Sequence, residues 1–251
     1  MTKHDNWSED TPFQLGAHNS MVHEFYRNDA FNQRPNSGVF GRMADQLNLR
    51  GFQSATNAAG AGGTMLTGDQ LYNNPVRGVT TKNPDSLNQN PTVENIYDIV
   101  KELNGVGEHD SNIMSEVWSS RVASGLFEHE EAIEFAQLPQ FTDDDYPGSG
   151  SLNGRFGAVM KSMKSREYRK VNREFYVVKH EGYDHHGANE VSGKFKSANE
   201  AIMNFVSQLK SNGLYDNTVL VMGSDFGRSL NPNSSGGSDV SFLYDRLAFL
   251  C

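Results

Sequence analysis

The sequence predicts an α/β protein, a mixed or parallel sheet flanked by helices. Three observations carry that expectation. Residues 175–179 (Phe-Tyr-Val-Val-Lys) form a short aromatic and β-branched run that reads as a strand. Residues 194–212 then place Phe195, Ala198, Ile202, Phe205, Val206 and Leu209 at three- and four-residue steps, so that they line one face of a helix. Lys210 falls in the last turn and Gly213 just beyond it, where a left-handed cap is cheapest. Residues 218–222 (Thr-Val-Leu-Val-Met) read as a second strand. Strand, helix and strand make a βαβ unit, with parallel strands and a right-handed crossover.

The unit matters for function because each strand runs into a polar turn. The first ends in Glu181-Gly182-Tyr183-Asp184-His185-His186-Gly187 and the second in Gly223-Ser224-Asp225-Phe226-Gly227-Arg228. Parallel strands bring both turns out at the carboxyl edge of the sheet, where open α/β sheets place ligands. Asp184, His186 and Asp225 are therefore expected to converge. Two carboxylates and an imidazole in one place suit a divalent metal of the zinc or manganese kind. Without a cation they would repel one another or shift their pKa values. The plainer reading stands beside this: Asp and Gly are ordinary turn residues, Asp184 can cap a local turn, and Asp225 can pair with Arg228.

Upstream, residues 1–33 are polar and aromatic without a clear period, and His18 and His23 fit a surface or packing role. A helix is expected to run to residue 49, capped by Asn36 or Ser37, striped by Val39, Phe40, Met43 and Leu47, and ended by Gly51. A short strand is expected at 52–56, followed by the glycine run 58–64. That run lacks the Gly-Lys-Ser/Thr ending of a phosphate loop and reads as a tight or flexible turn. Residues 73–91 read as an exposed loop, and helices are expected at 92–103 and 111–124, the second with Ile113, Met114, Val117 and Trp118 inward. Glu128-His129-Glu130-Glu131 lacks the second histidine of a zinc motif, and Asp143-Asp144-Asp145 lacks the spacing of a calcium loop. Residues 152–170 should form a helix with Phe156, Val159, Met160 and Met163 inward. Lys161, Lys164, Arg166, Arg169 and Lys170 lie opposite and read as a wet basic face.

Composition narrows the function classes. The chain has 251 residues, 31 acidic against 22 basic, and a net charge of −9, so nucleic acid and anionic membranes are poor partners for it. Apolar residues make up 36%, which is low for a compact domain of this length and predicts much loop. The single cysteine, Cys251, excludes an intramolecular disulfide and a thiolate metal cluster, leaving only oxygen and imidazole donors for a metal. The amino end is polar with no apolar segment after it, and no run approaches a membrane span of roughly 20 residues.

The same residues carry a resemblance. Gly182-Tyr183-Asp184-His185-His186 resembles the Gly-aromatic-Asp-Thr-His motif of the domain of unknown function 1501 family. Ser224-Asp225-Phe226-Gly227-Arg228 resembles that family's Ser-Glu/Asp-Phe-Gly-Arg motif. Asn231 and Gly236-Gly237-Ser238-Asp239 resemble its Asn and Gly-Gly-Thr-Asp-His stretch, and Ala17-His18-Asn19-Ser20 and residues 38–45 resemble further segments. The family is related to alkaline phosphatases and sulfatases. The resemblance therefore implies an alkaline-phosphatase-like sheet with metal at its carboxyl edge. It implies that Asp184 and His186 supply ligands after one strand and Asp225 after the next. The expected metal is zinc, manganese or calcium. The implied activity is hydrolysis of small anionic phosphate or sulfate esters, with His185 or Arg228 near the substrate. An arginine fork matches two oxygens of a tetrahedral anion.

The chain departs from the pattern in three places. The family's histidine after the Gly-Thr-Asp run is Val240, residues 241–251 match nothing in the family, and the first strand that the resemblance leads one to expect, with the superfamily's nucleophile and an early Asp ligand, is not supplied by these residues. Ser224 neighbours Asp225, but its family position lies beside a ligand and not where the nucleophile is. The expectation is one partial domain over 1–240, incomplete at both ends, with 241–251 as a tail. A non-catalytic binding or interaction protein is the competing reading. Family members are often exported.

Overall fold

The structure is a computed structural model. It describes residues 37–59, 63–68, 78–80, 146–187, 191–224, 227–241 and 248–250, with single helical positions from 22 to 27 and from 102 to 122.

Helix α1 spans Val39–Leu49. Asn36 and Ser37 were candidate caps, but Gly38 takes the N-cap with no side-chain bond. Ser37 is buried and instead accepts a hydrogen bond from Arg42 Nη1 at 3.2 Å. The buried face is Gly41, Ala44 and Asp45, while Met43, expected inward, is 47% exposed. The cause is a close approach: a Cβ on Gly41 would lie 2.0 Å from the Thr67 carbonyl oxygen, so the helix turns its smallest residues inward. Gly51, at φ 85°, closes the helix as expected, with Phe52 N–H donating to Leu47 C=O at 3.1 Å.

Strands β1 (Ser54–Ala59), β2 (Gly78–Thr80) and β3 (Arg173–Val178) form a parallel sheet in the order β2-β1-β3. The register sets Thr56 beside Phe175 and Asn57 beside Tyr176. Successive side chains alternate faces. Phe175 accordingly stacks on Phe40 of α1, with ring centroids 5.3 Å apart, while Tyr176 and Val178 pack against the core on the other face. The sheet is thus sandwiched, which explains why Thr56 to Ala59 are all buried.

That second face is covered by α2 (Ser151–Lys164) and α3 (Ser192–Ser211). Phe156 of α2 stacks on Phe205 of α3 at 4.6 Å, and Val159, Met160, Ala201 and Leu209 fill in around them, all buried. Burial of each large side chain is worth about 1.5–3 kcal/mol. Phe195, expected in the stripe, is 60% exposed and instead leans on Tyr183, one turn before the core begins. The cap of α3 agrees with the sequence: Gly213 at φ 66° donates to Lys210 C=O at 3.2 Å, and Leu214 donates to Leu209 C=O at 2.8 Å. Both leucines are buried, which adds the apolar contact of that motif.

Helix α2 stops at Lys164, short of the expected residue 170, and the chain continues in turns. It is closed by Lys170 at φ 54°, with Val171 N–H donating to Arg166 C=O at 2.9 Å. Arg169, expected on the wet basic face, points inward. It pairs with Glu174 at 2.6 Å and donates to Ser162 C=O at 2.7 Å and Ser165 Oγ at 3.0 Å. Glu174 also accepts from Asn57 Nδ2 at 2.8 Å and Tyr176 Oη at 2.6 Å. A satisfied polar network therefore ties α2 to the sheet.

After a 3-10 turn at Tyr215–Asn217 comes β4 (Leu220–Met222). Here the topology departs from expectation. Among the described residues β4 forms no ladder with β3; it pairs antiparallel with β7 (Ala248–Leu250). Strands β5 (Gly227–Arg228) and β6 (Val240–Ser241) make a second antiparallel pair. The chain is thus mixed α/β, and part of the expected 241–251 tail is β-structure.

Trp118, expected inward, is helical but 69% exposed. His18, His23, residues 128–131 and 143–145, and most of the helices expected at 92–103 and 111–124 lie outside the described residues. Among the described residues, no helix is long and apolar enough to cross a membrane.

Candidate functional site

The site lies where the chain leaves β3. Lys179 and Glu181 pair at 2.6 Å, and Gly182 turns the backbone at φ 94°. His180 Nδ1 and Tyr183 Oη lie 2.7 Å apart, and Tyr183 leans on Phe195, with ring centroids 5.3 Å apart, which anchors the turn to α3. Burial, with Lys194 and Arg155 nearby, holds the His180 imidazolium below its ordinary pKa, and burial raises the Tyr183 phenol. Asp184, His185 and His186 come next in the chain.

The facing wall is the segment 229–239 between β5 and β6. It is joined to the turn through backbone: Ser238 N–H donates to His185 C=O at 3.0 Å, and Gly187 bridges Gly236 antiparallel. A Cβ on Gly237 would fall 2.4 Å from the His186 carbonyl carbon and 2.6 Å from the Gly187 nitrogen, so only glycine permits this approach.

Between the walls, His186 stands between two carboxylates. Its Nε2 is 3.0 Å from Asp184 Oδ1 and its Nδ1 is 3.3 Å from Asp239 Oδ1. Asn233 Nδ2 donates to the same Asp239 oxygen at 2.9 Å and to His186 C=O at 3.0 Å. These bonds, Asn233's first and then His186's, hold the Asp239 carboxyl below the usual carboxylate range.

Arg228, expected beside substrate, is engaged within the protein. Its Nη1 pairs with Asp184 Oδ1. Its Nε donates to Ser238 Oγ at 2.8 Å, and its Nη2 donates to His185 C=O at 3.1 Å and to Ser238 C=O. Its side chain is 19% exposed, so it acts as a strut that ties Asp184 to β5 and to Ser238 of the 229–239 segment. His185 is also occupied locally. Its Nε2 lies 3.1 Å from Gly182 C=O, and its buried Nδ1 has no hydrogen-bond partner among the described residues.

Of the expected ligands, then, the structure brings Asp184 and His186 together, while Asp225 lies outside the described residues. Two donors about 3.0 Å apart match neighbouring positions on one ion about 2.1 Å from each. The pair therefore fits a divalent metal in spacing and donor type. Among the described residues no group of three or more His, Cys, Asp or Glu side chains forms a metal cage, so a further donor has to come from elsewhere. The resemblance includes Asp239 in its Gly-Gly-Ser-Asp stretch without giving it a role, and nothing in the sequence singles out Asn233. The available signal was the Gly236-Gly237 pair just before a carboxylate, since paired glycines mark close backbone approach.

The fold and this cluster define a mixed α/β protein with a carboxylate–imidazole–carboxylate arrangement at a turn after a parallel strand. A family model described as "Protein of unknown function (DUF1501)" matches residues 43–239. The match covers most of the chain and both motif turns, and the chain belongs to that family. No curated protein and no solved structure matches the chain.

Proposed function

We propose that this chain is a metal-dependent hydrolase of phosphate or sulfate esters on an alkaline-phosphatase-like fold. The observation that supports the reading best is the 3.0 Å approach of Asp184 Oδ1 to His186 Nε2 on the turn after β3. In this reading Asp184 and His186 hold a zinc, manganese or calcium ion, with Asp225 as a further ligand. An ion held there would supply Lewis-acid chemistry toward an ester oxygen and toward a water or hydroxyl nucleophile. The chain's own part is placement. Arg228 holds Asp184 against the turn, and the Ser238 N–H bond to His185 C=O, with the Gly187–Gly236 antiparallel bridge, keeps the two walls together. The substrate is a small anionic ester.

One observation favours a second reading, a binding protein without turnover. Arg228 already sets a cation on Asp184 Oδ1, so the carboxylate is neutralised without a metal.

Zinc and manganese titrations followed by thermal unfolding and calorimetry separate the two. The hydrolase reading expects stabilisation of about 2.7 kcal/mol at a hundred times the dissociation constant. It expects that gain, and turnover of an aryl phosphate or sulfate, to vanish in Asp184→Ala, His186→Ala and Asp225→Ala with the fold intact. Absence of both binding and turnover across several divalent metals would sink it.

A further inference from the structure

We infer that Asn233 and Asp239 are positioning residues that fix His186 as its Nδ1–H tautomer and turn its Nε2 toward Asp184. Nothing in the resemblance assigns either residue a role. The inference deepens the metal reading above and rests on it for its consequence, while the orientation itself comes from hydrogen bonds.

Asn233 is used on both ends of its amide. Nδ2 donates to Asp239 Oδ1 at 2.9 Å and His186 C=O at 3.0 Å, and Oδ1 accepts from Ser235 N–H at 3.0 Å and Gly237 N–H at 2.9 Å. With donors and acceptor both engaged, the amide has one consistent orientation. One side chain thus gathers the 235–237 backbone, the His186 carbonyl and the Asp239 carboxylate. The backbone of Asp239 is held as well: Ser229 N–H donates to its C=O at 2.8 Å, and its own N–H donates to Ser229 Oγ at 3.1 Å. The Gly237 approach described above sets the whole segment against His186.

A neutral imidazole carries one ring proton, and the two carboxylates that face this ring compete for it. Asp184 Oδ1 already carries the Arg228 guanidinium, which offsets its charge. Asp239 Oδ1 carries a neutral amide besides the imidazole, so it keeps its charge and is the stronger acceptor. The proton therefore sits on Nδ1, facing Asp239. Nε2, 3.0 Å from Asp184, is left with its lone pair, which is the form of imidazole that takes a divalent ion.

The test uses the full chain labelled with 15N-histidine, stripped of metal with a chelator and held at about pH 9, where imidazoles are neutral. Long-range 1H–15N correlations then show which ring nitrogen of His186 bears the proton. The wild type should show Nδ1–H. Asp239→Ala should move the proton to Nε2, Asn233→Ala should move part of it, and Asp184→Ala should leave Nδ1–H in place. Zinc chloride titration should then show affinity about 10- to 100-fold weaker in Asp239→Ala. A wild type with Nε2–H, or Nδ1–H retained in Asp239→Ala, overturns the inference whatever zinc does. Nδ1–H lost in the variants, with no zinc taken up by the wild type, supports the positioning role and overturns the metal reading alone.

Discussion

Glu174→Ala tests whether β3, the strand that delivers the site, depends on the polar network beneath it. The Glu174 side chain is 8% exposed and accepts from Arg169 at 2.6 Å, Asn57 at 2.8 Å and Tyr176 at 2.6 Å. Truncation removes all of these, including the Glu174 carboxylate that pairs with the Arg169 guanidinium, itself 20% exposed. Breaking one side of such a buried pair costs about 3–5 kcal/mol. Arg169 keeps its bonds to Ser162 and Ser165, so the expected loss is near the lower end, about 3 kcal/mol. Glu174→Gln keeps the shape and one acceptor and should cost about 1–2 kcal/mol. Urea unfolding followed by circular dichroism measures both, as a lower midpoint at constant slope. A cost under about 1 kcal/mol for Glu174→Ala would refute the claim that the network ties α2 to the sheet.

Single residues elsewhere carry further expected outcomes. Lys170 closes the turns after α2 at φ 54°, so Lys170→Gly should raise stability by about 1 kcal/mol, read as a higher thermal midpoint; no change would mean that the left-handed conformation carries no strain. The Tyr176 phenol is pushed well above 10.0, first by burial and then by Glu174. With the folded pKa raised, this contribution is intact below pH 10.0 and declines as pH rises above it, when the unfolded phenol ionises and the folded one does not. Alkaline unfolding of the wild type should begin there, and Tyr176→Phe should flatten that limb. The Asp239 carboxyl is depressed below 3.8, so its contribution is present above 3.8 and is lost as pH falls through the lower folded value. Carboxyl 13C titration should show a midpoint below 3.8 that rises in Asn233→Ala, and an identical midpoint in both proteins would contradict the Asn233 bond. Gly237→Ala should separate the 229–239 segment from the β3 turn, seen as loss of hydrogen-exchange protection at Ser238 N–H with the α2–α3 core unaffected.

The parts of the molecule legible in the sequence are those whose cause is local. The apolar spacing of Phe205 and Leu209 and the cap at Gly213 produce α3, and the aromatic and β-branched run produces β3, because helical period, left-handed caps and strand preference act over a few residues. The same local logic placed Asp184 and His186 together, since they sit two residues apart on one turn. Family motifs marked these residues without saying what touches them. Tertiary structure alone decided the rest. Met43 faces outward because Thr67 approaches Gly41, Arg169 turns inward because Glu174 waits on the sheet, and among the described residues β4 pairs with residues 248–250 rather than β3. Arg228 reaches back across 44 residues to Asp184, and Asp239 across 53 to His186. Such contacts depend on which backbone segments close on one another in space, and no short-range pattern in the chain encodes that closure.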